Sequence, residues 1–584
     1  VTESESEPRA PEPRGRVAGA ALAVGAGLLC GAPPLRDTDW GWHLATGRRI
    51  LAERGVPWDD AFMWTTEGVR APPVFWGFDL LLAVVDRLAG LPGLLALQAL
   101  LVALVCGVTW ALLVRARGLG VGWWPLGAGV IVCAASTTQA LRLVLRPHVV
   151  SLLLGLVVVG LVLAARDRRR LLLGLPAVFL AWANLHPGVV LGLGLLGALV
   201  AGEALRLAVV PWRGPDARAP GAVEHVRLLA LAFVLAAAAT LVTPAGWELY
   251  PWLWEHRGMH ALQGVTELAP FDPRQPLLRR ALLVALLLGL LARPRDVRAD
   301  PAPWFAAGFF ALLTVQTSRF FVDTLSLLAV AAAGPRGVVF PATRARRLGL
   351  ALLVVAAASG VWREATLRLA VPALLHPAYH APEAAEFLLE HPTPDPIYNS
   401  NRLGGDLVHR LQGRRRLFWD GRQPLYVHLA GASFDELDER FRFGTLVLAE
   451  RDPPLRPELP GQTSRFRLVY FDDEARIYVD ASRPLGRPPL EHMWFEWTPT
   501  GARAYDLWLH VDAADPRGAL AELEARRDRP GGYYVLTGLA AAHLALGDRE
   551  AAHACAAQAL EVRDGSQARS LLRASGGDPA PTGR

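Results

Sequence analysis

The polar residues able to do chemistry stand at the edges of long apolar runs. Asp37 and Asp39 follow the first run as an Asp-Thr-Asp triplet, with His43 four residues beyond Asp39. Arg142, Arg146 and His148 precede another run. Asn184 and His186 end a further one, Glu267 lies in the long loop 244–277, and Arg319 divides two more. Two carboxylates at a membrane surface can act as a general base or hold a divalent cation, Mg2+ or Mn2+, through oxygen ligands. The alternative is that an Asp ahead of a helix caps it. If the residues after Asp37 are helical, Asp39 and His43 face the same way. Polar groups near a bilayer are costly, so a set on one face reads as functional, although any one alone could cap a helix or snorkel.

The elements that must position these residues are membrane helices. The chain has 584 residues, of which 52% are hydrophobic and 20% charged, against about 25% charged in a soluble domain. Mean hydropathy is +0.27. Runs of Leu, Ala, Val and Gly recur from Arg16 to about Trp362, and after Arg363 the composition becomes that of a soluble protein. This excludes a single soluble enzyme, a fully embedded transporter with no appendage, and the collagenous and disordered classes. A spanning helix needs about 20 apolar residues. The candidate spans are 17–34, 91–114, 121–141, 147–165, 171–187, 188–209, 227–243, 278–292, 302–319, 320–335 and 347–363. The polar, Pro-rich residues 1–16 read as a disordered cytoplasmic segment. With no A-x-A cleavage site evident, the first apolar run reads as an uncleaved helix.

Net charge is +6, and since the chain has no Lys every fixed cation is Arg. These arginines sit in short loops between apolar runs, a pattern that points away from nucleic acid and toward membrane topology. The loops are 114–118, 166–170, 212–218, 293–298 and 343–347. All five fall on one side if 74–90, which is apolar but carries Asp79, Asp86 and Arg87, lies along the outer interface instead of crossing. That choice gives about eleven spans, a cytoplasmic N-terminus and an extracytoplasmic C-terminal region, and it gathers the polar residues named above on the outer face. The four cysteines form no CxxC, so neither a disulfide nor a zinc site is expected. The tryptophans of the first outer loop, Trp40, Trp42, Trp58, Trp64 and Trp76, could stack on sugars but fit an interfacial belt better.

The first outer loop (35–90) resembles that of the GT-C class of membrane glycosyltransferases, which includes protein mannosyltransferases and lipid A aminoarabinose transferases. In that class an acidic residue follows the first span, an aromatic one often stands four later, and a Pro-Pro-x-x-Trp segment comes after it. The corresponding residues are Asp39, His43 and Pro72–Trp76. A group of bacterial membrane proteins of GT-C-like architecture is more similar still, through DTDWGWHLATGR (37–48), RPH (146–148), WANLH (182–186), TPAGWELY (243–250), ELAPFD (267–272), GGDLVHRL (404–411) and FWDGRQPLY (418–426).

The resemblance implies a transfer of sugar from a polyprenyl-phosphate-linked donor to a lipid, glycan or protein acceptor at the outer face of a bacterial cytoplasmic membrane. On that basis Asp39 is the expected base, with Asp37 as alternate or metal ligand. Arg142, Arg146 and Arg319 would grip the lipid phosphate, because Arg pairs with phosphate oxygens. His148 and His186 would donate to phosphate or sugar, Asn184 and Glu267 would bind sugar hydroxyls, and His43 would line the site.

Residues 364–510 read as an extracytoplasmic α/β domain. Strands are expected at 396–400, 415–420, 445–450, 466–472 and 475–480, and helices at 404–411 and 435–443. Asp420, Arg422 and Tyr426 could approach the membrane site or fix the turn at Gly421, the structural role being preferred. Residues 511–575 resemble tetratricopeptide helices. One such repeat is too little to stand alone, so it packs on the preceding domain or binds a protein partner. Residues 576–584 read as a disordered tail. The alternatives to an enzyme are a non-enzymatic scaffold of the same fold or a transporter of lipid-linked sugar. The scarcity of polar residues at mid-membrane depth weighs against the transporter.

Overall fold

The computed structural model describes residues 13–113, 143–209, 221–255, 270–274, 300–332, 373–376, 379–429, 431–450, 465–484, 486, 488–501, 504–525 and 532–576, with positions 282, 285 and 297. Two compact units emerge. One comprises residues 1–58 and 71–376, the other 59–70 and 377–584. A short piece of the first outer loop therefore belongs with the C-terminal region.

In the first unit, the apolar runs become helices α1 (Pro13–Gly31), α2 (Asp39–Glu53), α3 (Trp76–Ala111), α4 (Pro147–Ala164), α5 (Gly174–Leu185), α6 (Val189–Val209), α7 (Ala222–Ala239), α8 (Leu249–Glu255), α9 (Ala302–Gln316) and α10 (Phe321–Ala332). Among the described residues, four helices are long and apolar enough to cross a membrane: Trp76–Ala111, Pro147–Ala164, Val189–Ala208 and Ala222–Ala239. The expected spans 171–187 and 302–319 contain the shorter helices α5 and α9, of 12 and 15 residues, while the second half of 320–335 falls partly outside the described residues. At 1.5 Å per residue these rise about 18–23 Å, less than the roughly 30 Å of a hydrocarbon core. The expected spans 121–141 and 347–363, and most of 278–292, lie outside the described residues.

The segment 74–90 is helical but set apart from the apolar run 91–114. Helix α3 breaks at Gly90, whose φ of 59° and ψ of −155° are non-helical, and Pro92 opens the continuation. The first half of α3 packs against α2 at a close approach. A Cβ on Gly47 would stand 1.9 Å from the Asp79 carbonyl oxygen. This packing places His43 on the buried side of α2, where its Nδ1 lies 2.5 Å from Asp79 Oδ1. Trp40 and Trp42 are buried with it, at 1% and 5% exposure, so neither forms part of an interfacial belt.

Helix α4 separates two polar ends by about 27 Å. Beyond its C-terminus, Arg166 pairs with Glu203 and with Asp300 (2.7 Å), both carboxylates being buried. Arg166 in the Arg-rich loop 166–170 is thus anchored by α6 and the start of α9. At the N-terminal end of α4 stand Arg146 and His148.

In the second unit, strands β1 (Ile397–Asn399), β2 (Thr445–Ala449), β3 (Phe466–Phe471) and β4 (Ala475–Asp480) form a sheet of order β1-β2-β4-β3, with β1 parallel to β2 and the other neighbours antiparallel. Helices α11 (Pro382–Glu390), α12 (Asn401–Leu411) and α13 (Phe434–Phe441) accompany it. A capping box between Ser433 and Glu436 starts α13. Residues 415–420, expected as a strand, bridge only at Leu417, which pairs with Met63 of the loop piece 59–70. That piece docks through Trp64, which donates to the Ile397 carbonyl at 3.0 Å and packs on Phe418 and Phe441.

A hairpin of β5 (Met493–Gly501) and β6 (Ala504–Val511), not expected from the sequence, precedes α14 (Pro516–Glu524), α15 (Tyr533–Ala545), α16 (Arg549–Val562) and α17 (Ser566–Ala574). The helices pack on the sheet region instead of standing apart. Asp473 accepts from the Tyr533 and Tyr534 amides at the start of α15, and Glu450 accepts from Tyr534 and Arg563, each at 2.9 Å. Gln567 pairs with the Leu509 backbone through both its amide atoms.

Candidate functional site

The turn into α2 brings the two carboxylates together. Asp37 Oδ1 accepts the Asp39 amide at 2.8 Å, a side-chain turn two residues long that leads into α2, whose N-cap position is Thr38. The other Asp37 oxygen pairs with Arg146 Nε, while Asp39 Oδ2 lies 3.0 Å from Arg146 Nη2. One guanidinium thus clamps both carboxylates, its planar fork meeting two acceptors at once. Arg146 adopts extended backbone and Pro147 starts α4, because Pro costs no hydrogen bond in a first turn.

A buried amide holds the two sides of this clamp in register. Gln98, 4% exposed on α3, donates to the Gly31 and Pro33 carbonyls at 2.8 and 3.2 Å and accepts from the Leu145 amide at 3.0 Å. Gly31 and Pro33 lead into Asp37, and Leu145 precedes Arg146. Gln98 is not among the residues expected from the sequence. Its one signal there is a lone amide within the apolar run 91–114, where a polar side chain needs a partner.

Beside the clamp, Arg319 Nη2 donates to His148 Nε2. Arg319 sits in the short turn between α9 and α10. The His148 ring stands edge-on to His186, with centroids 4.6 Å apart, and His186 also approaches Phe75. The structure therefore places Asp37, Asp39 and Arg146 in one ionic cluster and His148, His186 and Arg319 in an adjoining one, both about the N-terminal end of α4.

Two other expected site residues are engaged elsewhere. Asn184 Oδ1 accepts from Trp76 Nε1 at 3.0 Å, and its amide nitrogen donates to the Leu180 and Val242 carbonyls, each at 2.8 Å. It thereby ties α5 to the start of α3 and the end of α7. His43, 1% exposed, lies between Trp42, Phe75 and Phe78 with Asp79 as its partner, so it turns away from Asp39 despite the four-residue spacing. Arg142 and Glu267 lie outside the described residues.

No group of three or more His, Cys, Asp or Glu that could hold a metal occurs among the described residues. Asp37 and Asp39 still suit Mg2+, which keeps several waters and needs only one or two protein carboxylates beside a phosphate.

The FWDGRQPLY segment has a separate role within the second unit. Arg422 forks onto Asp420 (2.7 Å) and reaches Asp60 at 3.0 Å, while Tyr426 donates to Asp420 at 3.0 Å. Both carboxylates are fully buried, and burial pushes the Asp420 carboxyl up against the opposing pull of Arg422. This network binds the loop piece 59–70, in keeping with the structural role.

No protein-family model matches the sequence, and no curated protein does. Among solved structures, the chain is similar to the Archaeoglobus fulgidus oligosaccharyltransferase tethered with an acceptor peptide containing the NVT sequon. The identity is 12% and the TM-score 0.50, over 81% of this chain and 75% of that one. It is also similar to the archaeal oligosaccharyltransferase AglB from Archaeoglobus fulgidus in complex with an inhibitory peptide and a dolichol-phosphate, at 10% identity and TM-score 0.49, over 94% and 86% of the two chains. At such low identity the first likeness is one of architecture: the chain has a GT-C-type fold, that of an oligosaccharyltransferase.

Proposed function

We propose that this chain is a membrane glycosyltransferase that moves a sugar from a polyprenyl-phosphate-linked donor to a lipid, glycan or protein acceptor at the outer face of a bacterial cytoplasmic membrane. The observation that carries the proposal is the clamp of Asp37 and Asp39 on Arg146 at the starts of α2 and α4, set in a GT-C-type fold. In the neighbouring structure of that fold the bound acceptor is a peptide, which keeps protein among the acceptor classes.

Arg146 is the natural first contact for the donor phosphate, since Arg matches phosphate oxygens in pairs. Its shift toward phosphate releases Asp39. The freed carboxylate takes the proton from the acceptor group as the acceptor atom bonds to the anomeric carbon and the bond from that carbon to the phosphate oxygen breaks. Polyprenyl phosphate leaves with the electron pair. A divalent cation, Mg2+ or Mn2+, would be held by Asp37 and Asp39 and would neutralise charge on the leaving phosphate. Arg319, and Arg142 outside the described residues, supply further positive charge, while His148 and His186 donate hydrogen bonds. Asn184 and His43 hold the helices that carry these groups, and Glu267 remains a proposed ligand for sugar hydroxyls. The helical tail, packed on its own unit, would present a surface to a protein partner in the cell envelope.

The test is Asp39→Asn. Transfer of labelled sugar from a polyprenyl-phosphate-linked donor in isolated membranes is expected to be lost, with insertion and thermal unfolding unchanged. Full transfer by that variant removes Asp39 as the base.

A further inference from the structure

Hydrogen-bond direction around His186 fixes where its proton sits. The Gly188 backbone N–H donates to His186 Nδ1 at 3.1 Å, and a backbone amide can only donate. Nδ1 therefore carries a lone pair. Ser151 Oγ lies 2.6 Å from the same nitrogen, so the hydroxyl donates to it, and the two donors share one acceptor in a three-centre arrangement. Ser151 Oγ in turn accepts from the Trp182 indole N–H at 2.7 Å, which can only donate and so leaves the hydroxyl proton aimed at His186. Ser151, Trp182 and His186 are 7%, 2% and 6% exposed.

Packing closes the arrangement. A Cβ on Gly188 would meet His186 Nδ1 at 2.4 Å and Ser151 Oγ at 2.7 Å. Only glycine lets the amide come within reach of the ring. Next to it, the Arg319 guanidinium can only donate, so His148 Nε2 is also an acceptor and the His148 proton sits on Nδ1.

We infer that Trp182 and Ser151 are positioning residues that hold His186 as a neutral imidazole with its proton on Nε2. With the lone pair of His148 Nε2 likewise taken up by Arg319, both rings are held neutral and neither serves as the base. That assignment rests on the glycosyl-transfer reading only for the identity of the oxygen that receives the bond. The tautomer itself comes from donors and acceptors within this chain.

The experiment is nitrogen NMR on the full chain in lipid nanodiscs at neutral pH, with histidine ring nitrogens labelled and His186 assigned by the difference against His186→Asn. The expected spectrum shows a bare, pyridine-type Nδ1 and a protonated, pyrrole-type Nε2. Ser151→Ala and Trp182→Phe should each move the Nδ1 resonance as the hydroxyl donor is lost or loosened, with the Gly188 amide still keeping the lone pair there, and Ser151→Thr, which keeps the hydroxyl, should restore the wild-type signals. A wild-type His186 with its proton on Nδ1, or a doubly protonated ring, overturns the inference. An unchanged Nδ1 resonance in both Ser151→Ala and Trp182→Phe removes their positioning role. None of these outcomes depends on sugar transfer, so a failure of the enzymatic reading would be seen separately, in the Asp39→Asn assay.

Discussion

Replacing Gln98 isolates the contribution of one buried amide to the geometry of the site. Its Nε2 serves the Gly31 and Pro33 carbonyls and its Oε1 serves the Leu145 amide, in a setting only 4% exposed. Gln98→Met keeps the volume and removes all three hydrogen bonds. At roughly 1 kcal/mol net for each neutral bond, the loss is about 3 kcal/mol, and the stranded backbone groups can only add to it. Gln98→Glu separates the two halves of the interaction. It can still accept from Leu145, but it sets a carboxylate against two carbonyl oxygens, so it should be at least as damaging as Gln98→Met. Thermal unfolding of the purified protein in detergent should show both variants melting several degrees below wild type. Because Gln98 joins the chain before Asp37 to the chain before Arg146, sugar transfer should fall in both even at temperatures where they remain folded. Wild-type unfolding in Gln98→Met, or Gln98→Glu more stable than Gln98→Met, would refute the reasoning.

The second unit and the topology carry further expected outcomes. In the second unit Asp406 is buried, which pushes its carboxyl up, but the hydrogen bond from His380, the charges of His380 and Arg410 and the Ala381 amide outweigh this and hold it down at about 2. A carboxylate depressed on folding stabilises above its unfolded value and loses that contribution as pH falls toward the folded one. An acid titration of unfolding should therefore show a loss of about 2 kcal/mol between roughly pH 4 and pH 2, and Asp406→Asn should flatten that limb. Arg422→Ala leaves Asp420 and Asp60 buried without their guanidinium, a loss of about 3–5 kcal/mol that limited proteolysis should report as cleavage within 59–70. Alkaline-phosphatase fusions after residues 144 and 168 should report outside and inside respectively, and the reverse result would return 74–90 to the count of spans.

The sequence by itself determined that the chain is apolar for its first two-thirds and that its chemically capable residues sit at the ends of the apolar runs. It also located β1 to β4, α12 and α13, because burial writes a local, periodic pattern into the residues. It paired Asp37 and Asp39 by adjacency. Only the tertiary structure decided which polar groups meet. His43 bonds Asp79, which is 36 residues away, while Asp39 four residues before it turns to Arg146. Leu417 sits in an aromatic-looking run that reads as a strand, yet its bridge is to Met63 of the loop piece 59–70, 354 residues back along the chain. The hairpin 493–511 is hard to read in the sequence because its alternation is interrupted by Pro499 and Gly501. Gln98 and Ser151 carry no motif, and their roles come from the carbonyl and ring nitrogens that packing sets before them. Periodicity is a property of neighbours along the chain, whereas a buried polar group takes whichever partner the fold brings within about 3 Å, and that choice has no local signature.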